Sequence, residues 1–396
     1  MWLMKTLLTS GCTNQRGAGQ HGNKTYGEMS KMGNEVYESQ KCILKFSKTL
    51  IDKSAQNIRH GCDGEEKELA IAMIQNFREL HLYPLMLMKN HLARTAVKVD
   101  RKTIVARRLK RLSTIIDKLE RPSLDNGKTQ NAIRVTRMQD IGGCRAIVKN
   151  LEQLKALREK LLKSRSVHKI IKESDYLTPK ESGYGGIHLV YSCFDGLDDK
   201  FPWKKTKIEV QLRTELQHAW ATSLEIIDTL EDIKLKTSSE GHDDWRRFFY
   251  LTGCLVAHDE RACPLKPETV SVYEDELKVL EETLAVRRKL GTYALAINMT
   301  IHDKIKARLP RNHKGHYLVT MRVVDLEQRK MAVSVKAYRV SEADAALAAL
   351  KESDSDPNIH IAVLLATDNV KSLKKAYPNF FGSTNQFTRF LDRHIK

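Results

Sequence analysis

Between residues 140 and 235 the chain alternates short apolar strands with amphipathic helices, and this alternation limits its fold more than any other feature. Gly186–Phe194 and Lys207–Leu212 are predicted strands, and the second alternates apolar and polar residues with period two. Leu151–Leu162 and Thr214–Leu235 carry apolar residues at three-to-four spacing, which predicts helices. Helices that alternate with strands are typical of an α/β fold.

The segments on either side of this region follow other patterns. Lys41–Val97 has apolar residues at helical spacing, beginning with Ile43, Leu44 and Phe46. Two apolar runs near the C-terminus flank a polar turn, which predicts a hairpin. The further predicted elements are helices at Asp244–Ala257, Val270–Ile301 and Glu342–Lys351, hairpin strands at His316–Val324 and Met331–Val340, a strand at His360–Ala366 and two short helices before the end.

These patterns divide the chain into five expected segments. They are a flexible tail (1–40), a helical N-terminal region (41–100), the α/β domain (101–240), a helical region (241–305) and a small α+β domain (306–396). The tail contains Gly17, Gly19 and Gly22 in the pattern G-x-G-x-x-G. Because no predicted strand precedes these glycines and no helix follows them, a dinucleotide-binding turn is not predicted.

The charge of the chain favours a polyanionic partner. The chain has 67 Lys and Arg against 49 Asp and Glu, a net charge of +18, which suits nucleotides, nucleic acid or an anionic membrane surface. Between Lys89 and Arg137 there are 14 basic and four acidic residues, so +10 of this charge lies in one stretch. No run approaches the roughly 20 apolar residues that span a bilayer. Seven scattered cysteines without a C-x-x-C pair favour free thiols and a cytoplasmic location.

Three segments place polar residues within or beside the apolar strands. They are Asp140-Ile-Gly-Gly-Cys-Arg145, the stretch from Asp175 to His188, and Glu209-Val-Gln-Leu-Arg213. An ordinary solvated sheet face explains the third segment equally well when it is taken alone. Together the segments favour phosphate transfer: two carboxylates can hold Mg²⁺ against a polyphosphate, cations neutralise phosphate oxygens, and a tyrosine in a glycine-rich loop can stack on a base.

Four motifs resemble the synthetase domain of the RelA/SpoT family, the pyrophosphokinases that make (p)ppGpp from ATP and GTP or GDP. In chain order they are Arg108-Leu-Lys110, Asp140 to Arg145, Asp175 to His188, and Glu209 to Thr214. The resemblance covers about residues 95–230. It implies a nucleotidyltransferase-like mixed β-sheet flanked by helices, within a short bacterial branch that lacks the hydrolase domain of the long members.

The resemblance also implies a role for each matching residue. Asp140 and Glu209 would hold Mg²⁺, and Glu209 would activate the ribose 3′-hydroxyl of the acceptor as general base. ATP would be bound by Arg108, Lys110 and Arg145, with the two arginines against the adenine. The acceptor nucleotide would be bound by a larger group of residues, in which Tyr184 would stack on the base: Tyr184, Lys180, His188, Gln211, Arg213 and His218.

One departure from the family pattern leaves the acceptor open. Gly185 and Gly186 stand where the family usually has Arg or Gln followed by a small residue. The leading hypothesis is Mg²⁺-dependent transfer of pyrophosphate from ATP to GTP or GDP. The alternatives are a toxin-type enzyme that modifies the 3′ end of tRNA, and a non-catalytic binding module in regulation or phage defence. The expected partners are ATP and GTP or GDP, without a membrane; homo-oligomerisation is left open.

Overall fold

A mixed five-stranded β-sheet lies at the centre of the protein. The computed structural model describes residues 38–121, 130–198, 200–230, 233, 235, 241–290, 315–325, 330–367 and 385–395. The order across the sheet is β1-β2-β5-β4-β3; β2 and β5 run parallel, and the other neighbouring strands run antiparallel. The strands are β1 (Ile104–Leu109), β2 (Gly142–Val148), β3 (Lys169–Asp175), β4 (Ile187–Cys193) and β5 (Thr206–Thr214).

Helices flank this sheet, which confirms the predicted α/β fold class. In the N-terminal part they are α1 (Lys48–Arg59), α2 (Gly64–Glu79), α3 (Leu82–Val97), α4 (Leu112–Glu120) and α5 (Leu151–Leu162). Beyond β5 follow α6 (Glu215–Leu230), α7 (Asp243–Asp259) and α8 (Pro267–Leu284). Among the described residues, no helix has both the length and the apolar character that crossing a membrane requires.

The period-two pattern of β5 decides which face of the sheet is core. Ile208, Val210 and Leu212 are fully buried on one face, where the N-terminal helices and α5 pack against the sheet. Glu209 and Gln211 point to the opposite face and are half-buried. A strand that is apolar on one side and polar on the other presents its polar residues together, and here Glu209 and Gln211 contact each other on that face.

Two predicted helices differ from the structure. Residues 41–47 are not helical, because the side chain of Asn76 holds them: Lys45 N–H donates to its Oδ1, and its Nδ2 donates to the carbonyl of Ile43. The long helix predicted from Val270 ends at Leu284, since Ala285 adopts a left-handed backbone with φ of 50°. Helical structure resumes at residues 286–290.

The carboxylate of Glu281 supports this interruption. It accepts the backbone N–H of Val286 and of Arg287, which are the first donors of the next helical turn and would otherwise lack partners. Apolar spacing continues through the break, which is why periodicity alone predicted one helix. Other sequence predictions fall outside the described residues, namely the tail up to residue 37 with its glycine motif, residues 291–301 and the first of the two short helices expected after the last strand.

A small α+β unit near the C-terminus packs beside β1. Its three strands run in the order β7-β6-β8, and the unit has its own core, which includes Leu318, Tyr338 and Leu350. Arg111 Nη1 donates to the carbonyl of Ile359 at 3.1 Å and so joins the unit to the large sheet. Its elements are β6 (Gly315–Asp325), β7 (Lys330–Arg339), α9 (Ala343–Ser355) and β8 (Ile359–Thr367), and α10 (Asn385–His394) then packs on α6.

Glu260, just after α7, is a carboxyl whose burial raises its pKa from 4.5 to about 7, although hydrogen bonds with Thr214 and Gln217 act in the opposite direction. The folded protein therefore holds this proton more tightly than the unfolded chain, and the group lowers the free energy of unfolding progressively as pH rises between those values. We expect Glu260→Gln to raise the thermal unfolding midpoint at about pH 8 and to change it much less at about pH 5.

Glu152→Gln, on the exposed side of α5, is the matched control for this charge removal. Its unfolding midpoint should stay close to that of the wild type at both pH values, because surface substitutions change stability by no more than about 0.5 kcal/mol. An equal shift for Glu260→Gln at the two pH values, measured by scanning calorimetry, would contradict the assignment of the effect to the buried charge.

Candidate active site

Two rows of residues cross the polar face of the sheet. Arg108, Gly143 and Glu209 are register partners on β1, β2 and β5, so they form the first row. The second row consists of Arg145 on β2, Gln211 on β5 and His188 on β4, which are register partners in the same way. A Cβ at Gly143 would find no other atom closer than 3.8 Å. The glycine therefore leaves open space on the polar face of β2, between the strands that carry Arg108 and Glu209.

Asp140 lies at the entrance to β2 between two lysines. Lys110 Nζ donates to its Oδ2 at 2.8 Å, and Lys118 Nζ lies 3.9 Å from the same oxygen. Burial acts to raise the pKa of Asp140, but the charge and hydrogen bond of Lys110, with the charge of Lys118, lower it below its ordinary value overall. The carboxyl group is therefore an anion at neutral pH, positioned beside two cations.

Glu209 is held by the side chains next to it on the same face. His188 Nδ1 lies 2.9 Å from Glu209 Oε1, and Gln211 Nε2 donates to Oε2 at 2.8 Å. Burial and the nearby charge of Asp140 act to raise the pKa of Glu209, whereas the contacts with His188 and Gln211 lower it, and the net pKa lies below the ordinary value. The carboxylate is ionised and oriented through both of its oxygens.

Tyr184 extends this chain of hydrogen bonds. Its hydroxyl lies 2.5 Å from His188 Nε2 and accepts from Arg213 Nε and Nη2 at 3.2 and 3.0 Å. Because Arg213 can only donate, the tyrosine hydroxyl accepts from it, and His188 then joins this hydroxyl to Glu209 through its two ring nitrogens. Arg213 also stacks over the Tyr184 ring, with its guanidinium carbon 4.9 Å from the ring centre.

The loop of residues 176–186 carries Lys180, another of the predicted acceptor residues. Lys180 Nζ lies 3.7 Å from the centre of the Tyr176 ring. A hydrogen bond with Ser174, and the proximity of Lys180, lower the pKa of Tyr176. His218, by contrast, does not reach the surface of the site, because only 3% of it is exposed. The structure brings Lys180, Tyr184 and Arg213 to a common cavity but buries His218 in the body of α6.

That cavity has a volume of about 560 Å³ and lies between the loop, α6 and α7. Its polar wall includes Lys180, Tyr184 and Arg213, and its apolar wall includes Trp220 and Phe249. Such a combination suits a flat aromatic ligand that bears negative charge. The full lining is Lys180, Glu181, Ser182, Tyr184, Arg213, Trp220, Ala221, Leu224, Glu225, Leu235, Arg246 and Phe249.

The carboxylates of Asp140 and Glu209 fit a hard divalent cation. The charge of Asp140 acts to raise the pKa of Glu209, so the two carboxylates repel each other, and a bound cation would relieve this repulsion. Within the described parts of the chain, no cluster of three or more His, Cys, Asp or Glu residues is arranged around a metal site. A pair of carboxylates with further oxygens from phosphates is the usual protein contribution to a Mg²⁺ site.

Sequence reasoning missed several residues of the site. Lys118 lies on α4, which begins shortly after β1, and its ammonium group comes within 3.9 Å of Asp140. Trp220 and Phe249 have the pattern of ordinary core residues and are also buried. Tyr176 belongs to the predicted loop motif, and its contact with Lys180 follows from the loop conformation. No sequence signal identifies α7 as a wall of the cavity.

Comparison with known proteins finds a family match over the part of the chain that carries most of these residues. Residues 107–226 match the model of the region found in RelA / SpoT proteins. The chain is also 29% identical over 119 residues to the GTP pyrophosphokinase YjbM of Bacillus subtilis (strain 168). That alignment covers 30% of this chain and 52% of the relative, so the chain spans about half the length of the curated relative it matches.

Solved structures of similar proteins include one from Bacillus subtilis and one from Streptococcus pneumoniae. Small alarmone synthetase 1 from Bacillus subtilis, bound to its product pppGpp, has a TM-score of 0.35 at 22% identity, covering 45% of this chain and 88% of that one. A GTP pyrophosphokinase family protein from Streptococcus pneumoniae has a TM-score of 0.36 at 21% identity, covering 52% and 95%. The family model spans the four motifs from Arg108 to Thr214, and on this ground the chain carries a RelA/SpoT region at residues 107–226, as its motifs predicted.

Proposed function

We propose that the protein is a GTP diphosphokinase, which transfers the β,γ-pyrophosphate of ATP to the 3′-oxygen of GTP or GDP. One observation carries this proposal: Asp140, just before β2, and Glu209, on the neighbouring strand β5, both have a lowered pKa beside the row that begins with Arg108. Paired carboxylates next to fixed cations are what phosphoryl-type transfer needs, because its catalysis consists mostly of positioning and charge stabilisation.

The proposed reaction forms one bond and breaks another. The acceptor 3′-oxygen attacks the β-phosphorus of ATP, the bridging bond between the α- and β-phosphates breaks, and AMP leaves with the bridging oxygen. Glu209 takes the proton of the 3′-hydroxyl; its low pKa keeps it unprotonated at neutral pH. General bases of this kind contribute about 10²- to 10⁴-fold to a rate. His188 and Gln211 fix the carboxylate in place through its two oxygens.

The cationic side chains on the sheet bind the donor in this proposal. Arg108 and Arg145 lie on the same face as Glu209 and can contact the adenine and phosphates of ATP. Lys110 already pairs with Asp140 and would exchange part of that contact for a phosphate oxygen. Mg²⁺ held by Asp140 and Glu209 would supply charge neutralisation of the polyphosphate when bound.

The acceptor occupies the cavity between the loop and α7 in this proposal. Tyr184 forms part of the wall, and Lys180 and Arg213 supply positive charge for the acceptor phosphates. The departure at Gly186 has a structural reason, because its φ is +137° and a Cβ would lie 3.0 Å from the carbonyl oxygen of Leu212. At Gly185 a Cβ would make ordinary contacts at 3.6 Å or more, so the backbone there does not demand glycine.

Labelled ATP provides the direct test of this function. The purified full chain is incubated with Mg²⁺ and γ-labelled ATP, with GDP, GTP or bulk tRNA offered as separate acceptors. We expect label to appear in ppGpp or pppGpp, and we expect Glu209→Gln to remove it. Label on tRNA instead would assign a tRNA-modifying activity to the same site. Transfer to none of the acceptors would refute the proposal.

Removal of the Tyr184 hydroxyl should weaken the acceptor site. Tyr184→Phe keeps the ring and deletes the atom that joins His188 to Arg213. Because a hydrogen bond to a charged group contributes about 1.5–3 kcal/mol, we expect the ratio kcat/KM for the acceptor to fall about tenfold or more. Steady-state kinetics with varied acceptor and saturating ATP measures this change. Tyr83→Phe, in the N-terminal core, is the control, and an equal loss there would contradict the proposed contact.

A further inference from the structure

The loop that carries Tyr184 rests directly on the backbone of α7. A Cβ built on Gly253 would lie 2.0 Å from the carbonyl oxygen of Gly183 and 2.5 Å from its Cα. Real Cβ atoms essentially never approach another heavy atom within 3.0 Å. Any side chain at Gly253 would therefore push the loop away by about 1 Å, because the atoms it meets belong to the backbone and not to a flexible side chain.

A side chain at Gly183, on the loop side of the contact, would meet α7 at a similarly short distance. A Cβ on Gly183 would lie 2.2 Å from the carbonyl oxygen of Phe249, and Gly183 has a φ of +79°. Phe249 and Gly253 are four residues apart in α7, so they lie on the same side of the helix. Glycine within a helix costs about 1 kcal/mol relative to alanine. Helix stability thus does not explain Gly253, whereas the close approach of the loop does.

A tryptophan of α6 fixes this part of α7 in place. Trp220 Nε1 lies 3.1 Å from both the carbonyl oxygen of Phe249 and Oγ1 of Thr252, to which it can donate. The same indole packs edge-on against the Tyr184 ring, with centroids 6.4 Å apart. Phe249 and Thr252 are almost completely buried. The surface that receives the loop is therefore a rigid part of the core, built jointly by α6 and α7.

Hydrogen bonds inside the loop transmit the position of Gly183 to the site. Its N–H donates to the carbonyl of Lys180 at 2.7 Å, and Lys180 N–H donates to the carbonyl of Tyr184 at 3.2 Å. Tyr184 follows Gly183 directly and joins His188 and Arg213. A shift of Gly183 therefore displaces the ammonium group of Lys180 and the ring of Tyr184 together.

From this geometry we infer that Gly253 is a positioning residue, which sets the place of Lys180 and Tyr184 through backbone contact with Gly183. The inference rests on the proposed function, since it assigns the purpose of the contact to the acceptor site. Gly253 lies outside the matched region of residues 107–226. A displacement of about 1 Å from a residue remote from the chemistry can reduce a rate about 100-fold, so the effect of the contact is measurable.

Amide hydrogen exchange of the full-length protein without nucleotide tests the contact itself. We expect Gly253→Ala to accelerate exchange in residues 176–186 and to leave the amides of β4 and β5 unchanged. Gly196→Ala is the matched control, because a Cβ at Gly196 meets nothing within 4 Å. Unchanged exchange in the loop of Gly253→Ala would overturn the inference. This measurement does not depend on catalysis, so it remains decisive if no acceptor receives pyrophosphate.

Kinetics then separates positioning from general stability. In Gly253→Ala we expect the KM for the acceptor to rise about tenfold or more, a loss of about 1.4 kcal/mol of binding, while the KM for ATP stays the same. Equal changes in both KM values would indicate a structural effect and overturn the inference. If Gly253→Ala does not fold, Trp220→Phe decides the question, because it removes the bonds to α7 and adds no atoms. Its loop exchange should rise without a change in the sheet, and no rise would overturn the inference.

Discussion

Glu209→Gln should reduce pyrophosphate transfer by about 10²- to 10⁴-fold, which is the usual contribution of a general base. The amide has almost the same shape as the carboxylate and can keep a contact with Gln211 or His188, so the sheet should stay intact. It cannot take the proton of the acceptor hydroxyl at neutral pH. Single-turnover assays with saturating ATP and acceptor measure the loss, and nucleotide affinity should change by much less than the rate.

The control for this variant is another glutamate of the same sheet. Glu173 lies on the edge strand β3 and pairs with Arg158, away from the cavity. Glu173→Gln should retain a rate close to that of the wild type. If Glu209→Gln also kept more than about a tenth of the wild-type rate, general-base catalysis by Glu209 would be refuted, because that loss is below the range expected for a base.

Asp140→Asn should lower the rate by about 100-fold or more, since it removes a charge that would hold the cation of the proposed site and that balances two lysines. The pKa of Asp140 is low because Lys110 and Lys118 surround it, so the wild-type group is already charged and no pH change within the neutral range should restore the variant. The Mg²⁺ concentration required for half-maximal activity should rise in the variant. A metal titration at fixed nucleotide concentrations measures this shift.

Asp195→Asn is the matched control for the loss of an aspartate–lysine pair. Asp195 follows β4 and pairs with Lys169 of the edge strand β3 at 3.3 Å, outside the lining of the cavity. We expect an unchanged metal requirement and an unchanged rate, because exposed ion pairs contribute only about 0–1 kcal/mol. If the Asp140→Asn variant needed no more metal than the wild type, Asp140 would not be a metal ligand.

Periodicity was sufficient for the buried elements of the fold. The helix predicted at Leu151–Leu162 has the same bounds in α5, and the strand predicted at Gly186–Phe194 is β4 with one residue fewer at each end. Both elements bury an apolar side against the same core. Burial of one side is the property that produces apolar spacing, so elements with a clear interior side are the ones that a sequence identifies.

Two strands escaped the same reasoning because their sequences show no regular apolar side. β1 contains Arg107 and Arg108 in succession, and β3 has mostly exposed residues. Both are edge strands of the sheet. Their pairing is decided by the hydrogen bonds that β2 and β4 offer, and this information is not local to either sequence.

The members of the site were predicted from motifs, but their connections were not. The period of β5 places Glu209, Gln211 and Arg213 on one face, which the register confirms. The chain of contacts from Glu209 through His188 and Tyr184 to Arg213 depends on loop conformation and on side-chain rotamers. Residues that are close only across strands have no fixed spacing in the sequence, so no pattern could predict which atoms bond.

The sequence by itself determined the α/β fold class, the RelA/SpoT region and the chemical types present in the site, because periodicity and short motifs are local properties. Only the tertiary structure decided which groups the basic residues of the stretch Lys89–Arg137 contact. Lys110 and Lys118 surround Asp140, whereas Arg111 binds the small C-terminal unit and Arg107 is buried on the other face of the sheet. The number of charges follows from composition alone. The face to which each charged side chain points depends on the strand register and on the elements that pack against that face.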